Sequence, residues 1–277
     1  MTPVVPIRPG ELGIDVVADA TGRTRTTGLR QRYPQRVTTA LRCESGRLGA
    51  VTLCVQSPSG GAFSDDDLRT TVRCHPGAYL HLTTQAATQV FAGDGPGARH
   101  RLHFTVRSGA VLEYSPGTVI PHTDAAFQQQ IDIQVDPGGV YLGWEALSAG
   151  RIAHGERFGY SCYDSAFTVR VGDRVVARDR QLIRPSGSPP CSSLIDGDYL
   201  STFVAVTPRS NTEALLARMR TELDGLDGCR AGAGRLPCDA GVFVRAAVAG
   251  ATELRRLRLV LFDAARTHIT PADQSTA

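Results

Sequence analysis

His122 and Asp124 are residues whose types and spacing could hold a metal ion. In an extended segment, residues i and i+2 share a face. An imidazole and a carboxylate would then point the same way, a donor pair suited to Ni(II) or Zn(II). A pair alone makes only a weak, exchangeable site. His100 and His103 stand three apart in strand-like sequence, which puts them on opposite faces and prevents joint chelation. Glu113, Glu145 and Glu156 are carboxylates in or beside apolar, strand-like runs. They either rim the body or line an internal polar passage. Glu113 with Glu145 is also the pair that a paired-carboxylate hydrolase would use. Asp65-Asp66-Asp67 lacks the spaced ligands and distal glutamate of an EF-hand and reads as a solvated turn.

Composition excludes much else. All 30 residues counted as Lys+Arg in the 277-residue chain are arginine. Without a lysine amine there is no Schiff base to a cofactor, no S-x-x-K nucleophile and no G-K-[ST] phosphate loop. Any nucleotide hydrolysis belongs to a partner. Ser161 sits in Gly159-Tyr-Ser-Cys-Tyr163, which lacks the second glycine of a nucleophile elbow. Gly93-Asp-Gly95-Pro-Gly97 is interrupted by proline and reads as a surface turn, not a dinucleotide loop. A net charge of +3 is too small to imply nucleic acid. Residues 1–8 have no uninterrupted apolar stretch of the secretory kind, and no window reaches the roughly 18 apolar residues of a membrane span. The absence of such a window predicts no membrane partner, and the seven cysteines, scattered with no C-x-x-C, predict a reduced, cytoplasmic protein.

These residues must be positioned mainly by strands. Phe127, Ile131, Ile133 and Val135 alternate with Gln128, Gln130, Asp132 and Gln134, the period of a strand with one buried face. Leu102, Phe104 and Val106 form a similar inward set, as do Val140, Leu142, Trp144 and Ala146. Residues 166–183 read as two strands joined at Gly172-Asp173. Strand, glycine turn and strand recur around Gly77, Gly109 and Gly138. The repeat predicts a mainly β fold: stacked β-hairpins in a β-helix-like (solenoid) or sandwich body. Helices are expected only late. One starts at the capping box Ser210-x-x-Glu213, carries Leu216, Met219 and Leu223, and stops at Gly225; another spans 252–266 with Leu254, Leu257 and Leu261 on one face. Residues 228–241 read as a glycine-rich loop and 184–198 as an irregular connection. The chain is read as one domain, 1–277, with a core over about 35–265 and flexible ends at 1–10 and 267–277.

Four segments carry a resemblance. Pro58-Ser-Gly-Gly61-Ala-Phe-Ser-Asp-Asp66-Asp-Leu68 is similar to the P-x-G-G-x-x-x-G-D-x-L segment of the urease accessory protein D family, called H in some species. Leu82-Thr-Thr-Gln-Ala-Ala-Thr88 resembles its L-T-T-P-G-A-T, and Leu112-Glu-Tyr114-Ser-Pro116 with Ile120 its L-E-W-x-P-x-x-x-I. Leu142-Gly-Trp-Glu145, Gly150-Arg151 and Gly155-Glu-Arg-Phe158 resemble its L-G-W-E…G-R…G-E-R-F block, the most specific of the four. The segments keep the family's order. The chain departs from the pattern at 89–93, where a basic–aromatic run is usual, and at 117–119, where Q-E-T is usual.

The resemblance implies a β-rich, cytoplasmic scaffold for metallocentre assembly, and no enzyme. It implies a chaperone that holds apo-urease together with accessory protein F and the GTPase accessory protein G during GTP-dependent nickel insertion. On that reading Asp66, Thr83, Thr84, Glu113, Glu145 and Glu156 are the candidate functional positions. No cofactor is held tightly, and Ni(II) is transient cargo. Two other readings stay open: a scaffold for another metalloenzyme, and a β-helical hydrolase using Glu113 and Glu145.

Overall fold

The structure, a computed structural model, describes residues 9–37, 40–42, 49–186, 196–207 and 211–269. The strands among these residues begin with β1 (Gly10–Ala18), β2 (Thr24–Gln31), β3 (Arg36–Val37), β4 (Leu41–Arg42), β5 (Val51–Gln56) and β6 (Asp67–Cys74). They continue with β7 (Tyr79–Thr84), β8 (Thr88–Val90), β9 (Ala98–Val106), β10 (Val111–Ser115), β11 (Val119–Pro121), β12 (Ala126–Val135) and β13 (Val140–Ser148). After β14 (Cys162–Val171), β15 (Arg174–Ile183) and β16 (Tyr199–Val206) comes helix α1 (Thr212–Asp224). Then follow β17 (Cys229–Arg235), β18 (Gly241–Val248) and helix α2 (Ala251–Ile269).

The repeat around the three turn glycines sets the architecture. Gly77, Gly109 and Gly138 have φ of 75°, 70° and 83°, a region that costs a side-chain-bearing residue energy and glycine nothing. Each turn sends the chain from one sheet into the other. The two strands of a unit therefore lie in opposite sheets and pair in parallel with their counterparts in the neighbouring units. β6, β9 and β12 stack in register through Val72, Phe104 and Ile133, while β7, β10 and β13 stack through Leu80, Leu112 and Tyr141. The turns stack too: Gly109 N–H donates to Gly138 O at 3.1 Å, Arg107 N–H to Cys74 O at 3.0 Å and Asp136 N–H to Val106 O at 2.8 Å. The body is thus solenoid-like, and the connection at Gly172-Asp173 is an antiparallel hairpin with Val171 opposite Arg174.

Three layers result. The seven-stranded sheet runs β15-β14-β12-β9-β6-β1-β2, and the eleven-stranded sheet has β17-β18-β16-β13-β10-β7-β5-β3 as its main path. One apolar core lies between the sheets and includes Ile14, Val72, Phe104, Leu112, Ile133 and Tyr141. A second lies between the eleven-stranded sheet and the helices, and joins Leu142, Trp144 and Phe203 to Leu215, Met219, Leu257 and Leu261. Each fully buried side chain of this size contributes roughly 1.5–3 kcal/mol relative to exposure. Every residue of β13 is buried, because this strand has a sheet on one side and helices on the other. Alternation alone assigns it one buried face.

Several elements differ from expectation. Within 228–241, β17 forms the edge strand of the larger sheet, with Cys229, Ala231 and Ala233 packed on the helix-side core. Its small residues hide the strand period that bulkier side chains would display. Ser210 of the expected capping box lies outside the described residues, as do 1–8 and 270–277 of the expected flexible ends and 187–195 of the irregular connection. Gly10 already belongs to β1, and α2 continues to Ile269. Asn211 precedes α1 and donates from its side-chain amide to His268 O at the end of α2, so it ties the helices together.

Candidate functional site

The candidate polar residues fall into four places. Glu113 lies on the helix side of β10, 1% exposed. Its neighbour in register is His81, whose Nδ1 is 2.9 Å from Oε2. Arg266 of α2 forks onto it, Nε to Oε1 at 2.9 Å and Nη2 to Oε2 at 2.6 Å, and the Tyr79 hydroxyl donates to Oε1. Burial, the largest single effect, pushes the carboxyl upward. The bonds from Arg266, His81 and Tyr79 outweigh it and hold the group at about 2. Glu113 is therefore an anchored anion that fastens the last helix to the sheet.

Glu145 occupies the opposite face of the same sheet. Leu142, which pairs with Glu113, faces the helices, whereas Glu145 faces the smaller sheet. The sheet stands between the two carboxylates, so they cannot share one substrate as acid and base. The paired-carboxylate hydrolase reading fails on this geometry.

Around Glu145 the two sheets present matching polar rows. Gln129, Ser165 and Gln181 lie side by side in register on β12, β14 and β15. Glu145, Thr202 and Arg245 lie side by side on β13, β16 and β18. Between the rows Gln129 Nε2 donates to Glu145 Oε1 at 2.6 Å, Ser165 Oγ donates to the same oxygen at 2.8 Å, and Gln181 Nε2 donates to Thr202 Oγ1 at 3.2 Å. Arg245 continues to Asp179 of β15 at 2.5 Å. Five members of the layer are buried, and Arg245, with a side chain 37% exposed, marks its outer end. Burial pushes the Glu145 carboxyl up, against the two hydrogen bonds that lower it. A carboxylate inside a sandwich with no cation bonded to it among the described residues is costly. It suits an oxygen ligand or proton carrier more than a structural ion pair.

Glu156 lies at the rim, paired with Arg151 Nε at 2.8 Å and with Arg151 Nη2. The Arg151 hydrogen bonds hold its carboxyl at about 2. His122 lines a neighbouring groove of about 390 Å³ with Gln89, Arg151, His154 and Tyr199. Its Nε2 is 2.8 Å from Gln89 Oε1, and its ring meets the Phe91 ring edge-on at 4.6 Å between centroids. His122 and Asp124 do not share a face of an extended segment. Asp124 has φ of 62° in an exposed turn after β11, while His122 reaches back to Gln89. Among the described residues no group of three His, Cys, Asp or Glu side chains is placed to hold a metal ion. His100 and His103 lie on opposite faces of β9.

Asp66, Thr83 and Thr84 are local braces. Asp66 Oδ2 accepts from Phe63 N–H at 2.8 Å, Thr83 Oγ1 donates to Ser115 O at 2.8 Å, and Thr84 Oγ1 donates to Ala86 O while accepting from Gly117 N–H, both at 2.8 Å. Arg266, His81, Ser165, Gln181, Thr202 and Arg245 were not singled out from sequence. Gln129 did leave a signal, because it interrupts an apolar face at an inward position between Phe127 and Ile131.

The profile of the family described as "UreD urease accessory protein" matches residues 8–276. The chain is similar to a "Urease accessory protein UreD" of Mycolicibacterium gilvum (strain PYR-GCK), 63% identical over 265 residues that cover 96% of each chain. It is similar to a "Urease accessory protein UreD" of Natronomonas pharaonis, 30% identical over 86% of this chain and 81% of that one. A "Urease accessory protein UreD" of Yersinia enterocolitica is 32% identical over 79% of this chain and 70% of its own.

Proposed function

The chain belongs to the UreD urease accessory protein family, a family of maturation factors and not catalysts, and from that premise we propose that it is the scaffold on which Ni(II) reaches apo-urease. In this reading it works in the cytoplasm, bound to apo-urease, accessory protein F and the GTPase accessory protein G. The GTPase releases nickel by hydrolysing GTP, chemistry that a lysine-free chain with no phosphate loop leaves to its partner.

The observation that carries the proposal is the transverse polar layer, Gln129-Ser165-Gln181 facing Glu145-Thr202-Arg245. Oxygen donors of this kind hold a divalent ion weakly, which suits transfer: each ~1.4 kcal/mol of added affinity slows release about tenfold at a fixed on-rate. Glu145 is the first residue to test. Asp66 and Glu156 lie at a loop and a rim where a partner can touch them, Thr83 and Thr84 lie half-buried at the end of β7, and His122 and Asp124 supply at most transient contacts to the cargo. Glu113, committed to Arg266, has the structural task of holding α2 in place.

The experiment is reconstitution of urease activation from apo-urease, proteins F and G, GTP and Ni(II), with and without this chain. The wild-type chain is expected to raise activity strongly and Glu145→Leu to abolish most of that gain while the complex still assembles. Activity unchanged when the chain is left out would refute the proposal.

A further inference from the structure

Two segments singled out in the sequence, 58–68 and 82–88, meet around one pocket of about 150 Å³ whose lining includes no member of the polar layer around Glu145. Gly60, Gly61, Thr84 and Ala87 contribute to its wall, and His100 and Gln35 line it as well. Gly61 lets the 57–61 loop approach β8, since a Cβ there would stand 2.4 Å from Gln89 O.

A chain of hydrogen bonds fixes the state of His100. Gln35 Nε2 lies 3.1 Å from Gly10 O and 3.0 Å from Arg69 O, acceptors only, so that end of the amide is the NH₂. Gln35 Oε1 must then accept, and it takes the hydroxyl proton of Thr70 at 2.7 Å. Thr70 Oγ1, its one proton committed, can only accept from His100 Nε2 at 2.9 Å. In neutral imidazole this leaves Nδ1 without a proton, a bare acceptor with no hydrogen-bond partner among the described residues. Burial holds the His100 ring at about 4, hence neutral at pH 7. Among the described residues no Asp, Glu or Arg lines the pocket.

We propose that this pocket is an anchor site for one uncharged, hydrogen-bond-donating aromatic side chain, a tyrosine or tryptophan, of a partner protein, with His100 Nδ1 as the acceptor. The volume decides against a free ligand: small-molecule sites run from about 300 to 1,000 Å³, whereas this one suits a single side chain. Anchors in such pockets are enriched in Trp, Tyr and Arg. Arginine is excluded, because its charge would be desolvated with no counter-charge among the described lining residues. The proposal rests on the reading that this chain works by holding other proteins, and it names a place where it does so.

Nitrogen-detected NMR on the full chain, titrated with phenol and with benzene as probes, tests the pocket itself. The expected result is an unprotonated His100 Nδ1 whose resonance moves saturably with phenol and not with benzene. A protonated Nδ1, or one indifferent to phenol, overturns the proposal. Affinity for apo-urease and for proteins F and G then tests the occupant. Ala87→Phe, which narrows the pocket, and His100→Phe, which removes the acceptor, should each weaken one of these complexes at least about tenfold, with a wild-type thermal melt as the control for folding. Wild-type affinity in either folded variant overturns the proposal. Should the wild-type chain bind none of these proteins, the scaffold reading falls, and the phenol titration still decides the pocket.

Discussion

Arg266, in the last turn of α2, grips both carboxylate oxygens of Glu113 across 153 positions of sequence. The bond joins the end of the described chain to the middle of the solenoid, beneath the helix layer. Removing one member leaves the other charge poorly compensated. Glu113→Ala should cost about 3 kcal/mol, the low end for broken buried pairs, because the Arg266 side chain keeps 26% of its exposure. Urea denaturation measures it. A loss much smaller than this would mean that α2 is held by its apolar face alone.

The same pair sets an acid limit. The Glu113 carboxyl is held at about 2 in the folded chain against an ordinary 4.5. Its folded value is depressed, so its stabilisation is complete above pH 4.5 and is lost as pH falls towards about 2. Between those limits the wild type should lose stability with acid faster than Glu113→Gln does. Melting temperatures of both proteins across this range give the comparison, and parallel curves would contradict it.

Glu145 should behave in the opposite sense. Its carboxyl is pushed up by burial, so the folded chain loses stability as pH rises through the unfolded value and towards the raised one. Glu145→Gln keeps an oxygen for Gln129 and Ser165 and removes the buried charge. A gain on the order of 1 kcal/mol is expected at pH 7 and above, with little difference below pH 4.5. The proposed function predicts that this more stable variant activates urease less. Equal activation would separate Glu145 from the nickel path.

Gly241 opens β18 with φ of 144°, and a Cβ there would come within 1.8 Å of Ala205 O. Both the backbone conformation and the contact exclude a side chain. Gly241→Ala should destabilise by about 2 kcal/mol or more, read as a lower melting temperature or loss of soluble protein. Gly172→Ala, with positive φ but nothing within 4 Å, should cost less.

Much of the fold was legible in the residues. The inward sets on β9 and β12 and the leucines of α2 are local patterns, because a strand or helix repeats its buried face at a fixed period. The three turn glycines were legible for the same reason, as each answers a requirement of its own backbone. β17 was not, because alanine and glycine carry too little apolar contrast to show a period. The candidate glutamates could be picked out as polar residues in apolar strands, but their roles could not.

Those roles were decided by stacking. Glu113 and Glu145 look alike in sequence, yet the register of β10 against β13 puts them on opposite sides of one sheet. One then meets an arginine from the last helix and the other meets Gln129 and Ser165. His122 turned out to face Gln89 and not Asp124, because the chain leaves the strand at once after β11. The residue types fixed which groups could ionise, donate or accept; which of them became neighbours depended on parallel pairing between strands some 30 positions apart, for which no local period exists.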